Sequence, residues 1–364
     1  MMKALRAAML FNIPFSKDSI LQKSIPLSFV NPTYFDFEML RIFGRTSASI
    51  GNNYDQLFVP FRCVASDVIK KESVVFSNGN LNESVRASMT FPLYLNPIRI
   101  NGVLYFDGGL YNNFPLNVMY ESFPADFIIG SNVTKNEITS NENDFFGLLS
   151  SMMTTPTNYN LPCQEGLIIE PQTVVGTFDF EDVKQAIDDG YRATLAKIDS
   201  LELLITRRED PDSLALKRKK FQEKIIPIRV SSVKTEAVKK NEFKYANVFI
   251  LPQKSHRILG ESLLEERYFR LASTPQIDFI YPNFQAKSDG TLELLLKVKK
   301  SKEFRADFGG LISSRAVNTG YFNLTYRSIG RVSHKISAES YFGKFYGSLR
   351  TNYELVIPSV FPIS

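Results

Sequence analysis

The chain has 364 residues, of which 44% are hydrophobic and 22% charged, a composition typical of folded globular proteins. Its length predicts two or three domains. No apolar run approaches the ~20 residues of a membrane-spanning helix, so no such helix is predicted. Two cysteines and two histidines are too few for a disulfide framework or a cysteine-rich zinc site, and we predict neither a cofactor nor a metal. These residues are Cys63, Cys163, His256 and His334.

Charge is distributed unevenly along the chain. Acidic residues outnumber basic ones up to about residue 200, and basic residues are in excess after it, which indicates separate modules. The basic cluster Lys217–Lys220 is interpreted as a solvated helix face. No nucleic-acid-binding motif accompanies it, so nucleic acid is not a predicted partner. The N-terminal residues Met1–Ser16 are a weak signal-peptide candidate, because Asn12 and Pro14 interrupt the apolar stretch.

Short apolar strands interleaved with helices dominate the first 200 residues and predict an α/β layer with a mostly parallel sheet. The predicted strands are Phe58–Ala65, Ser73–Phe76, Gly102–Phe106, Asp126–Gly130 and Leu167–Glu170. The predicted helices are Met1–Phe11, Phe35–Phe43, Leu81–Ser88 with Asn80 as N-cap, and Phe180–Ile198 with one apolar face.

Residues 201–225 are polar and basic and predict a closing helix and linker. The next 75 or so residues predict a compact α+β module with the order strand, helix, helix, strand, strand. The two last strands form a hairpin across Ser288–Gly290. The predicted elements are Ile226–Val233, Asn241–Phe249, Ser255–Leu271, Ile277–Phe284 and Thr291–Lys299.

From Phe304 onward apolar and polar residues alternate, as in Phe322, Leu324 and Tyr326 against their polar neighbours. Tyr341, Gly343, Phe345 and Leu349 continue the same pattern. The alternation fits an outer-membrane β-barrel and fits a soluble antiparallel sheet equally well. Three or four strands fit before the last residue, whereas the smallest such barrels use about eight. A barrel would therefore be incomplete.

Asp107 ends a predicted strand and is followed by Gly108 and Gly109. Two glycines permit positive φ and a close approach of the backbone, so the chain can turn and present the carboxylate at the end of a sheet. Alone, an Asp-Gly turn is usually structural.

The surrounding blocks resemble the second half of a patatin-like lipid acyl hydrolase domain over residues ~57–200. The matching blocks are V-A-S-D at Val64–Asp67, R-A-S-M with its F-P at Arg86–Pro92, D-G-G-L-Y-N-N-F-P at Asp107–Pro115, A-D-F-I-I-G at Ala125–Gly130, and the closing strand and helix at Gly166–Ala193.

This resemblance implies a phospholipase or esterase that uses a Ser–Asp dyad on an acyl-ester substrate. Asp107 would be the general base, and Gly108 and Gly109 its turn. Ser88 and Asn113 would be supporting residues, although helix packing and turn chemistry explain them as well. A Ser-His-Asp triad would need a histidine in this region, and there is none.

The sequence departs from the family because it has no G-x-S-x-G and therefore no identifiable nucleophile. The nearest segment, Ser47–Gly51, lacks the first glycine, and we reject Ser49 on that steric ground. Ser66, Asp67 and Asn112 are interpreted as turn residues. We therefore expect that the chain starts inside the patatin-like domain and is inactive as written.

The later modules resemble a POTRA module and the opening strands of an outer-membrane barrel. The predicted fold is a partial three-layer α/β patatin-like domain (residues 1–200), a linker (201–225), a small α+β POTRA-like domain (226–300) and incomplete antiparallel β-barrel strands (301–364). This arrangement implies the outer membrane of a Gram-negative bacterium, with the hydrolase domain periplasmic or on the cell surface.

Two alternatives stay open. In the first, the patatin-like domain is a non-catalytic scaffold of a secretion or outer-membrane barrel protein, as the missing G-x-S-x-G segment would suggest. In the second, the basic half is a soluble nucleic-acid-binding module, which salt-dependent retention on DNA or RNA would reveal.

Overall fold

The structure is a computed structural model that describes residues 11–13, 30–133, 153–159, 166–176, 179–236, 240–251, 258–311, 319–330 and 332–357. Its strands are β1 Phe11–Ile13, β2 Cys63–Asp67, β3 Glu72–Phe76, β4 Ile98–Ile100, β5 Val103–Asp107, β6 Ile128–Ser131, β7 Gly166–Ile169, β8 Val230–Glu236, β9 Ile277–Ala286, β10 Leu292–Lys300, β11 Phe304–Leu311, β12 Thr319–Ile329, β13 Ser333–Gly343 and β14 Tyr346–Val356. Its α-helices are α1 Thr33–Met39, α2 Arg45–Ser49, α3 Leu81–Ser88, α4 Leu116–Ser122, α5 Val183–Leu195, α6 Ile198–Leu204, α7 Pro211–Glu223, α8 Lys240–Ile250 and α9 Glu261–Ala272. The predicted helix Met1–Phe11 lies outside the described residues except for Phe11, which begins a strand.

The first sheet has the strand order β3-β2-β5-β4, and every neighbouring pair is antiparallel. The prediction of a mostly parallel sheet is wrong for these strands. Short turns join β2 to β3 and β4 to β5, which favours antiparallel pairing of those strands. The central pair β2 and β5 is also antiparallel, although helix α3 lies between the two strands in sequence. Strands β6 and β7 do pair in parallel, as a separate two-stranded sheet.

Helix α3 packs across β2 and β5 and has the predicted bounds. Asn80 occupies the N-cap position without making a side-chain capping bond, and the Ser47 hydroxyl accepts the Leu81 amide at 2.9 Å instead. Strand β2 starts at Cys63 rather than at the predicted Phe58, in keeping with Pro60, which has no backbone donor for a ladder.

Helix α5 has the predicted apolar face, but that face is exposed. Ile187 and Tyr191 are each 64% exposed, and Val183 and Leu195 lie on the same side. In the described part of the chain, α5 therefore does not cover a sheet as the expected third layer would.

The α+β unit contains the predicted order strand, helix, helix, strand, strand. Strand β10 lies in the middle of its sheet, parallel to β8 and antiparallel to β9. Alternate residues of β10, from Leu292 to Val298, face the core. The resemblance to a POTRA module stays a prediction.

The core of this unit also includes residues from the beginning of the chain. Phe37, Leu40 and Ala48 belong to the same buried cluster as β8 to β10 and helices α8 and α9. The Phe37 and Tyr268 rings have centroids 5.0 Å apart. The α+β unit and the segment that runs from α1 to α2 are therefore packed as one body, although about 180 residues separate them in sequence.

The last sheet is antiparallel with the strand order β1-β11-β12-β13-β14. The described strands form an open sheet, and a closed barrel is not shown. Tyr341 lies on the face opposite Phe342 and Leu349, because a two-residue turn joins β13 to β14 and reverses the alternation. The predicted grouping of Tyr341 with Leu349 is therefore wrong. Among the helices of the described ranges, none has the length and apolarity to cross a membrane.

Candidate active site

Asp107 is the last residue of β5, where the strand turns into a short 3₁₀ helix at Gly108–Leu110. Its amide donates to the Thr90 carbonyl oxygen at 2.9 Å, just beyond helix α3. Its side chain caps the turn, because carboxylate oxygen Oδ1 accepts the Gly109 amide at 2.7 Å. Both the backbone and the carboxylate of Asp107 are therefore held in place.

The two glycines are needed for close approach rather than for positive φ. The glycines with positive φ are others, such as Gly102 and Gly290. A Cβ on Gly108 would lie 2.2 Å from the Val64 carbonyl oxygen in β2, which is part of a strand and cannot move aside. A Cβ on Gly109 would lie 2.6 Å from Oδ1 of Asn113, which is a side chain. Of the two reasons expected from the sequence, only the close approach applies.

Burial raises the pKa of Asp107 above its ordinary value, and the hydrogen bond from the Gly109 amide opposes that shift. Asp107 as a whole residue is partly buried and partly exposed. A raised pKa makes a carboxylate a stronger base while it is ionised, which suits proton abstraction.

The predicted supporting residues lie at different distances along the loop. The Asn113 side chain packs against Gly109 and so contacts the turn directly. Asn112 instead donates to Asn117 of helix α4 at 3.1 Å. Ser88 is the half-buried last residue of α3 and precedes Thr90 by two positions. The Thr155 amide donates to Leu110 at 2.8 Å, which places residues 153–159 beside the turn.

The serines near the patatin-like blocks have structural environments. The Ser49 hydroxyl donates to the Arg45 carbonyl at 2.7 Å and accepts the Ile226 amide at 2.9 Å, in agreement with its rejection as a nucleophile. Asp67 is a turn residue as predicted, since its carboxylate accepts the amides of Ile69 and Lys70. Ser66 is not a turn residue, because it lies fully buried inside β2.

Sequence reasoning missed a buried ion pair close to Asp107. Arg86 is 2% exposed and its Nε donates to Asp36 Oδ1 at 2.8 Å, and Asp36 is itself 4% exposed. Desolvation raises the pKa of Asp36 to about 6, and the charge of Arg86 opposes that shift. The signal available in the sequence was Arg86 itself, one helical turn from both Asn82 and Thr90. The identity of its acidic partner depends on the fold, because Asp36 is 50 positions upstream.

The described residues contain no group of three or more His, Cys, Asp and Glu side chains that could hold a metal ion.

Comparison with known proteins finds a family match over part of the chain. Residues 29–120 match the family model of the patatin-like phospholipases. This range includes β2 to β5, helix α3 and Asp107 with its turn. This part of the chain is therefore similar to the patatin-like phospholipases.

Similar proteins carry the family name NTE. An uncharacterized NTE family protein of Mycobacterium bovis is 26% identical over 170 residues, which cover 38% of this chain and 28% of that protein. An uncharacterized NTE family protein of Mycobacterium tuberculosis has the same values. Another from Mycobacterium tuberculosis is 36% identical over 62 residues, which cover 17% of each chain. The chain thus spans 28% or less of the length of these relatives. At the level of the family, the matches support a lipid hydrolase.

Proposed function

We propose that the protein is a lipid acyl hydrolase in which Asp107 is the general base of a Ser–Asp dyad. The observation that carries this proposal is the fixed carboxylate at the end of β5, within the range that matches the patatin-like phospholipases. The Gly109 amide holds Oδ1, and Oδ2 is the oxygen that we propose accepts the proton of a serine hydroxyl. The substrate is an acyl ester of a phospholipid or a similar lipid.

Acylation of the serine involves two proton transfers. Asp107 takes the proton from the serine hydroxyl as the serine oxygen attacks the acyl carbonyl, and it then gives the proton to the leaving alcohol. Water then attacks the acyl-serine by the reverse sequence. The serine is proposed to come from a G-x-S-x-G segment, which the 364 residues do not contain. The 364-residue chain alone is therefore expected to have no turnover.

The test compares two aspartates of the same sheet. The 364-residue chain is incubated with a short-chain nitrophenyl ester and a fluorophosphonate, and we expect neither hydrolysis nor labelling. In a longer form of the protein with a G-x-S-x-G segment, Asp107→Ala should lower turnover by a factor of about 10²–10⁴. Asp67→Asn is the matched control, because Asp67 is buried in the same sheet and only holds a turn. Serine labelling of the short chain, or full activity of the Asp107 variant, would refute the proposed role.

The absence of a G-x-S-x-G segment from the sequence also favours a second candidate, a non-catalytic scaffold. A longer form without any serine that reacts with the fluorophosphonate would support the scaffold. Turnover that depends on Asp107 but not on Asp67 would exclude it.

We also propose that the sheet of β11 to β14 faces lipid and places the protein in the outer membrane of a Gram-negative bacterium, with the hydrolase domain periplasmic or on the cell surface. What supports this is the inverted burial of its two faces. In β12 and β13 the apolar face is the more exposed one: Leu324 and Ile336 are 43% and 47% exposed, whereas Thr325 and Ser337 on the polar face are 3% and 7% exposed. A soluble sheet packs its apolar face inward, and a membrane sheet presents it to acyl chains.

The length and register of these strands fit the same proposal. Strands β12, β13 and β14 have 11 residues each, and a membrane-spanning strand needs about 9–11. Phe304, Tyr326 and Tyr353 stand in one row across the sheet, together with Ile336. Aromatic rows of this kind are found where barrel strands cross the membrane interface.

A pair of adjacent positions in β14 tests the lipid-facing sheet. Leu349→Lys should destabilise membrane-inserted protein by about 2–4 kcal/mol if the position lies near the middle of the bilayer, while Ser348→Lys on the polar face should cost little. Retention in liposomes after carbonate washing measures the difference. Equal retention of both variants, or release of the unmodified chain, would contradict a lipid-facing sheet.

A further inference from the structure

Arg86 makes hydrogen bonds in addition to its ion pair with Asp36. Besides the bond to Asp36, its Nη1 donates to Thr90 Oγ1 at 2.5 Å and its Nη2 donates to the Asn96 carbonyl at 3.1 Å. Its guanidinium carbon lies 5.6 Å from the centre of the Phe35 ring. One side chain thus connects helix α1, the end of helix α3 and the loop before β4.

Thr90 connects this cluster to the candidate base. Its hydroxyl is held from both sides, because it accepts from Arg86 and donates to the Arg86 carbonyl oxygen at 2.7 Å. Its own carbonyl oxygen accepts the Asp107 amide at 2.9 Å. The position of the Thr90 backbone therefore sets where the last residue of β5 lies.

The other end of the cluster is supported by the α+β unit. Asp36 stands in α1 next to Phe37, which is part of the core that α1 shares with β9, β10 and helix α9. Arg86 therefore lies between a rigidly packed helix and the strand that carries Asp107.

We propose that Arg86 is a positioning residue for Asp107, which it holds in place through Thr90. The assignment of Asp107 as a base rests on the proposed function, whereas the mechanical link from Arg86 to Asp107 does not. A planar guanidinium can donate to three partners in fixed directions, and a lysine ammonium in its place would keep the charge but lose that geometry.

The test follows the titration of the Asp107 carboxyl directly in the 364-residue chain, by carbon-13 NMR of labelled aspartate, with the Asp107→Asn spectrum to assign the signal. Arg86→Lys keeps a cation beside Asp36. Thr90→Val is nearly isosteric and removes only the hydroxyl through which Arg86 acts. Asn82→Ala is the control, because Asn82 lies one turn earlier in α3 and donates to Pro282 and Asn283 of β9 without contacting Thr90.

We expect Arg86→Lys and Thr90→Val to shift the Asp107 midpoint downward, toward the ordinary value for aspartate, because a loosened strand end exposes the carboxyl to water. Asn82→Ala should lower thermal stability and leave that midpoint unchanged. An unchanged midpoint in Thr90→Val would overturn the proposal, and so would an equal shift in all three variants. If Arg86→Lys does not fold, the Asp107 midpoints of Thr90→Val and Asn82→Ala are compared with each other, and this comparison tests the proposal.

Activity is a separate readout. A shifted Asp107 midpoint in a protein whose longer form has no esterase activity would leave the positioning role standing and remove the proposed function. Activity that depends on Asp107, together with an Asp107 midpoint that neither Arg86→Lys nor Thr90→Val moves, would support the proposed function and overturn the positioning role of Arg86.

Discussion

Gly108→Ala is expected to open the sheet that carries Asp107. The added Cβ would lie 2.2 Å from the Val64 carbonyl oxygen and 2.8 Å from its carbonyl carbon. Ordinary contacts between such atoms are about 3.5–4.0 Å, so β2 and the turn must separate by more than 1 Å. Strain of this kind typically costs about 1–3 kcal/mol.

Cys63 provides a local probe for this opening. It is buried in β2 next to Val64, and burial raises the pKa of its thiol to about 12, so it should be unreactive in the closed sheet. In a Cys163→Ser background, the rate of thiol labelling in native buffer measures how often the sheet opens. A cost of about 1–3 kcal/mol corresponds to labelling that is about 5- to 150-fold faster in Gly108→Ala.

Substitutions of two other glycines serve as comparisons for the labelling rate of Gly108→Ala. Gly109→Ala should have a smaller effect, because the atom that a Cβ would meet belongs to the Asn113 side chain. Gly190→Ala, in helix α5 with open space around it, should leave the labelling rate unchanged. If Gly108→Ala labels no faster than Gly190→Ala, the close packing of the turn against Val64 is not what requires glycine.

Two further predictions concern the buried charges. Because the pKa of Asp36 is raised to about 6 in the folded chain, its contribution to the free energy of unfolding should fall as pH rises from about 4 to 6, by at most about 3 kcal/mol. Urea titrations of the unmodified chain and of Asp36→Asn should therefore differ in slope over this pH range, and identical slopes would refute the shift. Lys297→Ala should cost about 1–3 kcal/mol, because it removes the cation 2.6 Å from the buried Glu83. The double variant Lys297→Ala/Glu83→Gln should recover part of that loss, and recovery of none of it would show that the cost lies elsewhere.

The local elements were predictable where one physical signal dominated. Helix α3 follows from its apolar spacing, and the β9–β10 hairpin from the Asp289-Gly290 turn and the alternation of β10. The strand direction of the first sheet was predicted wrongly, because short apolar strands interleaved with a helix suggested parallel crossovers, whereas β2–β3 and β4–β5 are hairpins.

Long-range contacts were the part that the sequence could not supply. Asp107 and its glycines stand out as a motif, yet Thr90, Arg86 and Asp36 become part of the site only when the chain folds. The packing of Phe37 into the core of the α+β unit is similar, since nothing in the local pattern says which unit an amphipathic helix will cover. The exposure of the apolar face in β11 to β14 likewise depends on what surrounds the sheet.

The role of Asp107 as a general base is tested most directly by comparing two titrations. One is the NMR titration of the Asp107 carboxyl in the 364-residue chain. The other is the acidic limb of kcat/KM against pH for ester hydrolysis by a longer form with the G-x-S-x-G segment. We predict that both have the same midpoint, above the ordinary value for aspartate, and that Asp107→Asn abolishes the activity. Midpoints that differ, or an active Asp107→Asn enzyme, would contradict it.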